Sequence, residues 1–241
     1  MSEVVKIGNC ILFDGDCLEV MKQLQTNSVD LIVTDPPYLI KGNGFKSPAG
    51  KLKDRDIFKN EVANFKDGFD FACLFEMQRV LKKWNAYFYC NKELLFELII
   101  WFKQNTNAYL DLLIEHIKNP TPFCNTYLND CDYVLFVRDS GVKLNGRYHE
   151  KVKVIDKTTN KKDKQKYKHP TIKDANLVKR YISNSSDEGD VILDPFMGSG
   201  TTGEACMRTN RLCIGIEKNK DFFDIACQRL TKVYEEIQNE N

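Results

Sequence analysis

The sequence lacks any C-x-x-C pair: its nine cysteines, at positions 10, 17, 73, 90, 124, 131, 206, 213 and 227, are scattered and odd in number. Structural zinc needs closely spaced ligand pairs, and a disulfide framework favours an even count in a short secreted chain. Reduced, mostly buried thiols in a cytoplasmic protein are therefore expected. Histidine is scarce, and His116, His149 and His169 are too dispersed to suggest a metal site. Long apolar runs are missing as well. The most apolar stretch, Leu94 to Phe102, is interrupted by Glu97 and is far too short to span a bilayer. No basic-then-apolar leader opens the chain, which reads Met-Ser-Glu-Val-Val-Lys. A soluble protein without membrane contact follows as the expectation.

What is present fits one α/β domain over residues 1–241, with 42% hydrophobic and 29% charged residues. A formal net charge of +1 hides an asymmetry. Residues 41–66 hold seven basic side chains against three acidic ones, and residues 143–168 hold ten against three. Two basic segments on an otherwise acidic body suggest a polyanion held against one face. Solvated lysine-rich loops are the plainer reading of the same charges.

Short apolar runs alternate with helical periodicity, which predicts an open, mostly parallel sheet of about seven strands with helices on both faces. The strands are expected at 10–13, 29–34, 86–90, 110–117, 133–137, 191–193 and 213–216. Helices are expected at 18–25, 71–83, 93–104, 175–183 and 221–238, the last with Phe222, Ala226, Leu230, Val233 and Ile237 on one stripe. Residues 41–66 and 140–168 have little periodicity and read as excursions from the sheet. A glycine-rich strand-to-helix turn comes so late that its sheet cannot be completed by the chain that follows. Its other strands must come from the N-terminal half, in permuted order.

Two motifs carry chemistry. Asp194-Pro195-Phe196-Met197-Gly198-Ser199-Gly200-Thr201-Thr202 leaves a short strand and opens a helix. Glycines there let a ligand approach backbone N–H groups at the helix start. No lysine follows them, which excludes a P-loop. Gly198, Gly200 and Gly203 satisfy G-x-G-x-x-G, and Glu217 stands where a ribose-binding acid would, so a nicotinamide-dependent oxidoreductase must be weighed. Asp194 immediately before the loop speaks against it, because a carboxylate suits a ligand bearing a positive amino group better than a pyrophosphate. A glycine turn that only packs helix against strand is the plainer reading.

Asp35-Pro36-Pro37-Tyr38 follows the strand ending at Thr34, where ligands of open α/β sheets bind. An exocyclic base amine is a poor nucleophile because its lone pair is delocalised into the ring. A carboxylate on Asp35 and the Pro36 carbonyl can accept its two hydrogens and stabilise the developing positive charge. Pro36 and Pro37 stiffen the turn. Tyr38 offers a ring face for an unstacked base, worth about 1–3 kcal/mol. The target atom is inaccessible within a duplex, so the nucleotide must flip out. An N-capping Asp with a Pro-Pro turn is the bland alternative.

With both motifs in hand, the chain resembles the permuted, or β-class, amino-methyltransferases of DNA, over nearly its whole length and in the family's order. Asp14-Gly15-Asp16-Cys17-Leu18 and 27–38 look like the family's opening, and His169-Pro170-Thr171-Ile172-Lys173 looks like its His-Pro-Thr-Gln-Lys-Pro, with Ile172 for Gln and Asp174 for Pro. The resemblance implies S-adenosylmethionine as cofactor, S-adenosylhomocysteine as product and no metal. It implies that Asp16 meets the cofactor's adenine, Glu217 its ribose, and His169, Thr171 and Lys173 its methionine end. Asp194, Pro195, Phe196, Gly198, Ser199, Gly200, Thr201 and Thr202 would form the cofactor cradle. The implied partner is double-stranded DNA in a cytoplasm of prokaryotic or phage type. A homodimer and a separately encoded restriction nuclease are further expectations.

The resemblance also implies that residues 140–168 carry target recognition, their lysines contacting phosphates. By residue type, Asn145 and Arg147 are the candidates for base edges. The expected reaction is methyl transfer to N6 of adenine. N4-cytosine methylation, RNA adenine methylation and a non-catalytic specificity subunit are the alternatives. The family tends to carry Ser in place of Asp35 for cytosine.

Overall fold

The computed structural model describes residues 3–37, 68–120, 127–158 and 172–240. Strands β1 (Glu3–Ile7) and β2 (Cys10–Asp14) form a hairpin, and the short helix α1 (Cys17–Met21) leads to β3 (Leu31–Thr34). Then come α2 (Ala72–Val80), β4 (Asn85–Cys90), α3 (Lys92–Asn105), β5 (Tyr109–Ile117) and β6 (Cys131–Arg138). The chain continues through β7 (Val154–Lys157), α4 (Ala175–Ser185), β8 (Val191–Asp194), α5 (Thr201–Met207), β9 (Leu212–Glu217) and α6 (Lys220–Glu240).

These strands form one sheet in the order β1-β2-β9-β8-β3-β4-β6-β5-β7. Only β1 and β6 run against the other seven. Every residue of β3 and β4 is buried, as a parallel strand covered on both faces requires. One face packs against α1, α2 and α3 through Val20, Met21, Leu74, Met77, Leu98 and Phe102. The other packs against α4, α5 and α6 through Val178, Ile182, Cys206, Phe223, Ala226 and Leu230. Each such aliphatic or aromatic side chain contributes about 1.5–3 kcal/mol on burial. The spacing of Leu177, Val178, Tyr181 and Ile182 turns one stripe of α4 inward, and Asp174 caps that helix by accepting from the Asn176 amide at 2.9 Å.

Position within the sheet selects the site. The connection from β3 through α2 reaches β4 on one side, whereas that from β8 through α5 reaches β9 on the other. Neighbouring strands whose continuations diverge open a crevice at their carboxyl ends. The tandem-proline turn leaves β3 and the glycine turn leaves β8, so both motifs flank one crevice. As expected of a permuted order, β9 is completed by N-terminal β2, paired in parallel from Cys10 with Cys213 to Asp14 with Glu217.

All seven expected strands are present, and two more bring the count among the described residues to nine, which corrects the expected seven. Gly8-Asn9 turns β1 onto β2, a hairpin signal between two apolar runs. β7 lies inside the segment read as an excursion and pairs in parallel with β5. Only Ile155 of its four residues is buried, so it left little pattern to read. Helix α1 stops at Met21 rather than at Gln25. The Arg79 guanidinium takes the Met21 and Leu24 carbonyls at 2.7 and 2.9 Å, and the chain continues in tighter turns.

Candidate active site

Thr34 and Asp194 end the two strands that flank the crevice, and a buried hydrogen bond joins them. The Thr34 hydroxyl donates to Asp194 Oδ1 at 2.8 Å, the Thr202 hydroxyl to Oδ2 at 2.6 Å and the Phe196 amide to Oδ1 at 3.2 Å. Burial pushes the Asp194 carboxyl up to about 6, against these three donors. Asp194 thus fastens the turn after β3 to the first turn of α5.

The glycine turn is shaped from beneath. Gly200 sits at φ +80°, and a Cβ there would come within 3.2 Å of the Ala226 Cβ, so glycine permits both the turn and close packing of α5 on α6. Arg229 of α6 is almost wholly buried. Its guanidinium donates to the Ser199 and Thr201 hydroxyls at 3.2 and 3.0 Å and pairs with Glu204 at 2.8 Å. Ser199, Thr201 and Thr202 are themselves buried, their hydroxyls engaged by Arg229 or Asp194. Arg229 was not anticipated. Its signal was a charged residue placed three after Ala226 and four before Val233, on the apolar stripe of α6.

Two carboxylates stand on the β9 and β2 side. Glu217 accepts from the Gly198 amide at 2.9 Å and from the Asn219 amide at 2.8 Å, and burial raises its pKa despite them. Asp16 caps α1 through the Leu18 amide at 3.0 Å and pairs with Lys218 at 3.2 Å. Burial works against ionisation of Asp16, but those two donors prevail and hold its pKa below the usual value.

Asp35 is the most exacting residue of the crevice. Its Oδ2 lies 3.1 Å from the Lys173 ammonium, while its buried Oδ1 has no hydrogen-bond partner among the described residues. Burial raises its pKa; Lys173 pulls it back, and the charges of Asp132 and Glu115 add to the rise. A buried acceptor left unmade costs about 1–3 kcal/mol, more when charged, so such an atom asks for a ligand. Pro36 and Pro37 follow at the same strand end. Tyr38, His169 and Thr171 lie outside the described residues, as do 41–66 and 159–168. Burial pushes the nearby Cys90 thiol up to about 12, leaving it protonated at neutral pH.

A sequence-family comparison decides the affiliation: residues 29–228 match the model described as DNA methylase. The chain belongs to the DNA methylase family. Among curated relatives, the methylase is 28% identical to the type II methyltransferase M2.LlaDCHI of Lactococcus lactis subsp. cremoris, covering 93% of this chain and 90% of that protein. The solved complex of M1.HpyAVI with SAM shares the fold at a TM-score of 0.65 and 24% identity, over 90% of this chain and 98% of that one. The PvuII DNA methyltransferase, cytosine-N4-specific, does so at 0.69 and 17%, over 98% and 95%.

The basic segment of the methylase is more anchored than its charge suggested. Asn145, expected at base edges, donates to Asp187 Oδ1 at 2.8 Å and to the Ser186 carbonyl at 3.2 Å. Lys153 pairs with Asp111, and the largely shielded Lys157 pairs with the buried Glu115 at 2.6 Å. Arg147 remains exposed.

Proposed function

We propose that this methylase transfers the methyl group of S-adenosylmethionine to N6 of an adenine flipped out of double-stranded DNA. The observation that carries the reading is the buried Oδ1 of Asp35 at the switch point, without a partner among the described residues and one strand from the glycine turn. Asp35 Oδ1 would accept one amine hydrogen and the Pro36 carbonyl the other, drawing nitrogen toward tetrahedral geometry. The raised pKa of Asp35 makes it a stronger acceptor as positive charge develops on the amine. Lys173 favours the ionised carboxylate, against its burial. Tyr38 would stack on the flipped base.

The donor set fits the cofactor. Glu217 gives each oxygen to one amide and keeps lone pairs for a diol, and Asp16 follows the end of β2, where Asp14 pairs with Glu217. The turn from Pro195 to Gly200 would line the cradle, with Ser199, Thr201 and Thr202 holding its shape from within, and His169, Thr171 and Lys173 would close the methionine end. When bound, S-adenosylmethionine supplies a sulfonium methyl that is already a good electrophile, and its loss leaves S-adenosylhomocysteine. Positioning and charge stabilisation by the chain then suffice.

Residues 1–241 would act as one catalytic domain. Within it, 140–168 would meet DNA through exposed basic groups such as Arg147. A cytoplasmic setting, a homodimer and a separate restriction nuclease complete the proposal. Incubation with labelled cofactor and duplex DNA, followed by nucleoside analysis, tests it. Labelled N6-methyldeoxyadenosine is expected. Label in N4-methyldeoxycytidine, transfer to RNA alone, or no transfer would overturn it.

A further inference from the structure

Four strands and one helix converge on a carboxylate that the transfer chemistry does not use. Glu115, on β5, has no exposed surface. Its Oε1 accepts from the Tyr89 hydroxyl at 2.9 Å and the Tyr181 hydroxyl at 3.0 Å, and its Oε2 lies 2.6 Å from the Lys157 ammonium. Lys157 also reaches Asp132 at 2.5 Å. The strand registers explain the meeting. Tyr89 pairs with Val134, Asp132 with Glu115, and Glu115 with Ile155, which puts Tyr89, Asp132, Glu115 and Lys157 on one face of β4, β6, β5 and β7.

At its other end the cluster reaches the crevice. The Lys173 ammonium lies 4.6 Å from the centroid of the buried Tyr89 ring and 3.1 Å from Asp35 Oδ2. A ring face attracts a cation, and the hydroxyl bond to Glu115 fixes where that face points. Packed hydrophobic residues would stabilise a core as well as a buried ion pair does, so charges retained there fit a positioning role. Lys157 belongs to β7, inside the segment assigned above to DNA.

We infer that Tyr89, Glu115 and Lys157 form a positioning unit that seats Lys173 against Asp35 and ties that pair to strand β7 of the recognition segment. The inference rests on the methyl-transfer reading for what Asp35 does. The groups facing Asp35 are Lys173 before α4, Asp132 of β6, Glu115 of β5, Asp194 of β8, and Tyr89 and Cys90 of β4. Lys173 is the cation that opposes burial of Asp35, so loosening it lets Asp35 take a proton at higher pH.

The test uses the full chain with 13C-labelled aspartate, Asp35→Asn assigning the Asp35 carboxyl resonance. Tyr89→Leu removes the ring, Tyr89→Phe keeps the ring but removes its bond to Glu115, and Glu115→Gln with Lys157→Met removes the ion pair without leaving a buried charge. The expected result for Tyr89→Leu is an Asp35 titration midpoint higher by about one pH unit. At neutral pH its kcat falls about tenfold or more, a larger change than that in cofactor Kd, which Lys173 also serves. Tyr89→Phe moves the midpoint the same way by a smaller step and decides the matter if Tyr89→Leu does not fold. The paired variant also deletes the Glu115 charge that raises Asp35, so it is read by kcat, which falls as in Tyr89→Phe. An unmoved Asp35 midpoint in the folded Tyr89 variants, an unchanged kcat in the paired variant, or a loss residing wholly in cofactor Kd overturns the inference. A wild type that methylates no DNA would remove the proposed function instead, and the Asp35 titration would still judge the seat of Lys173.

Discussion

The bond from Thr34 to Asp194 joins the ends of two strands that lie 160 residues apart in the chain, and Thr34→Val removes it without changing shape. Valine keeps the branched β carbon that suits a buried strand. Asp194 is left with the Thr202 hydroxyl and the Phe196 amide. A hydrogen bond to a charged, buried acceptor is worth about 1.5–3 kcal/mol, and one to a neutral acceptor about 0.5–1.5 kcal/mol. Which value applies depends on pH. The Asp194 carboxyl goes from 3.8 unfolded to about 6 folded, so the folded chain binds the proton more tightly. Ionising Asp194 therefore costs stability as pH rises from about 4 to about 6, in all about 3 kcal/mol. Thr34 relieves part of that cost only where Asp194 is charged.

In a chain of this length 1 kcal/mol moves Tm by about 2–4 °C, so Thr34→Val should lower Tm by about 3–12 °C at pH 7.5. At pH 5, with Asp194 mostly protonated, the loss should shrink to about half or less. Thermal unfolding followed by circular dichroism at the two pH values measures it. An equal loss at both, or a larger one at pH 5, would refute the reasoning.

Asp35→Ala should lower methyl transfer by about a hundredfold or more while leaving cofactor Kd largely intact; calorimetry alongside the labelled-methyl assay reads both. Glu217→Gln should weaken cofactor binding by about tenfold or more, the equivalent of one charged hydrogen bond, with a smaller effect on kcat of the saturated enzyme. Arg229→Met strips a buried cation from Glu204 and from the Ser199 and Thr201 hydroxyls, so unfolding in urea should show a loss of about 3–5 kcal/mol. Asn145→Ala should reduce stability by about 1–2 kcal/mol and leave the methylated DNA sequence unchanged, as methylation mapping would reveal.

Seven strands, five helices and the two motif-bearing turns were legible because they are local. Apolar runs such as Leu31 to Val33 and the stripe from Phe222 to Ile237 announce themselves within a few residues. The permuted order was legible too, and the parallel pairing of β2 with β9 bears it out. Other features exist only once distant strands lie side by side. The pairing of Lys173 with Asp35, Arg229 beneath the glycine turn, the cluster around Glu115, and β7 as a strand depend on sheet order and register, which no short window of sequence encodes. Residue type suggested that the lysines of 140–168 would contact phosphates. Tertiary structure gave Lys157 a buried partner in Glu115 instead, because a polar group's role follows from what surrounds it after folding. Sequence by itself thus determined which chemistry the chain carries, and the packed sheet decided which groups stand free to perform it.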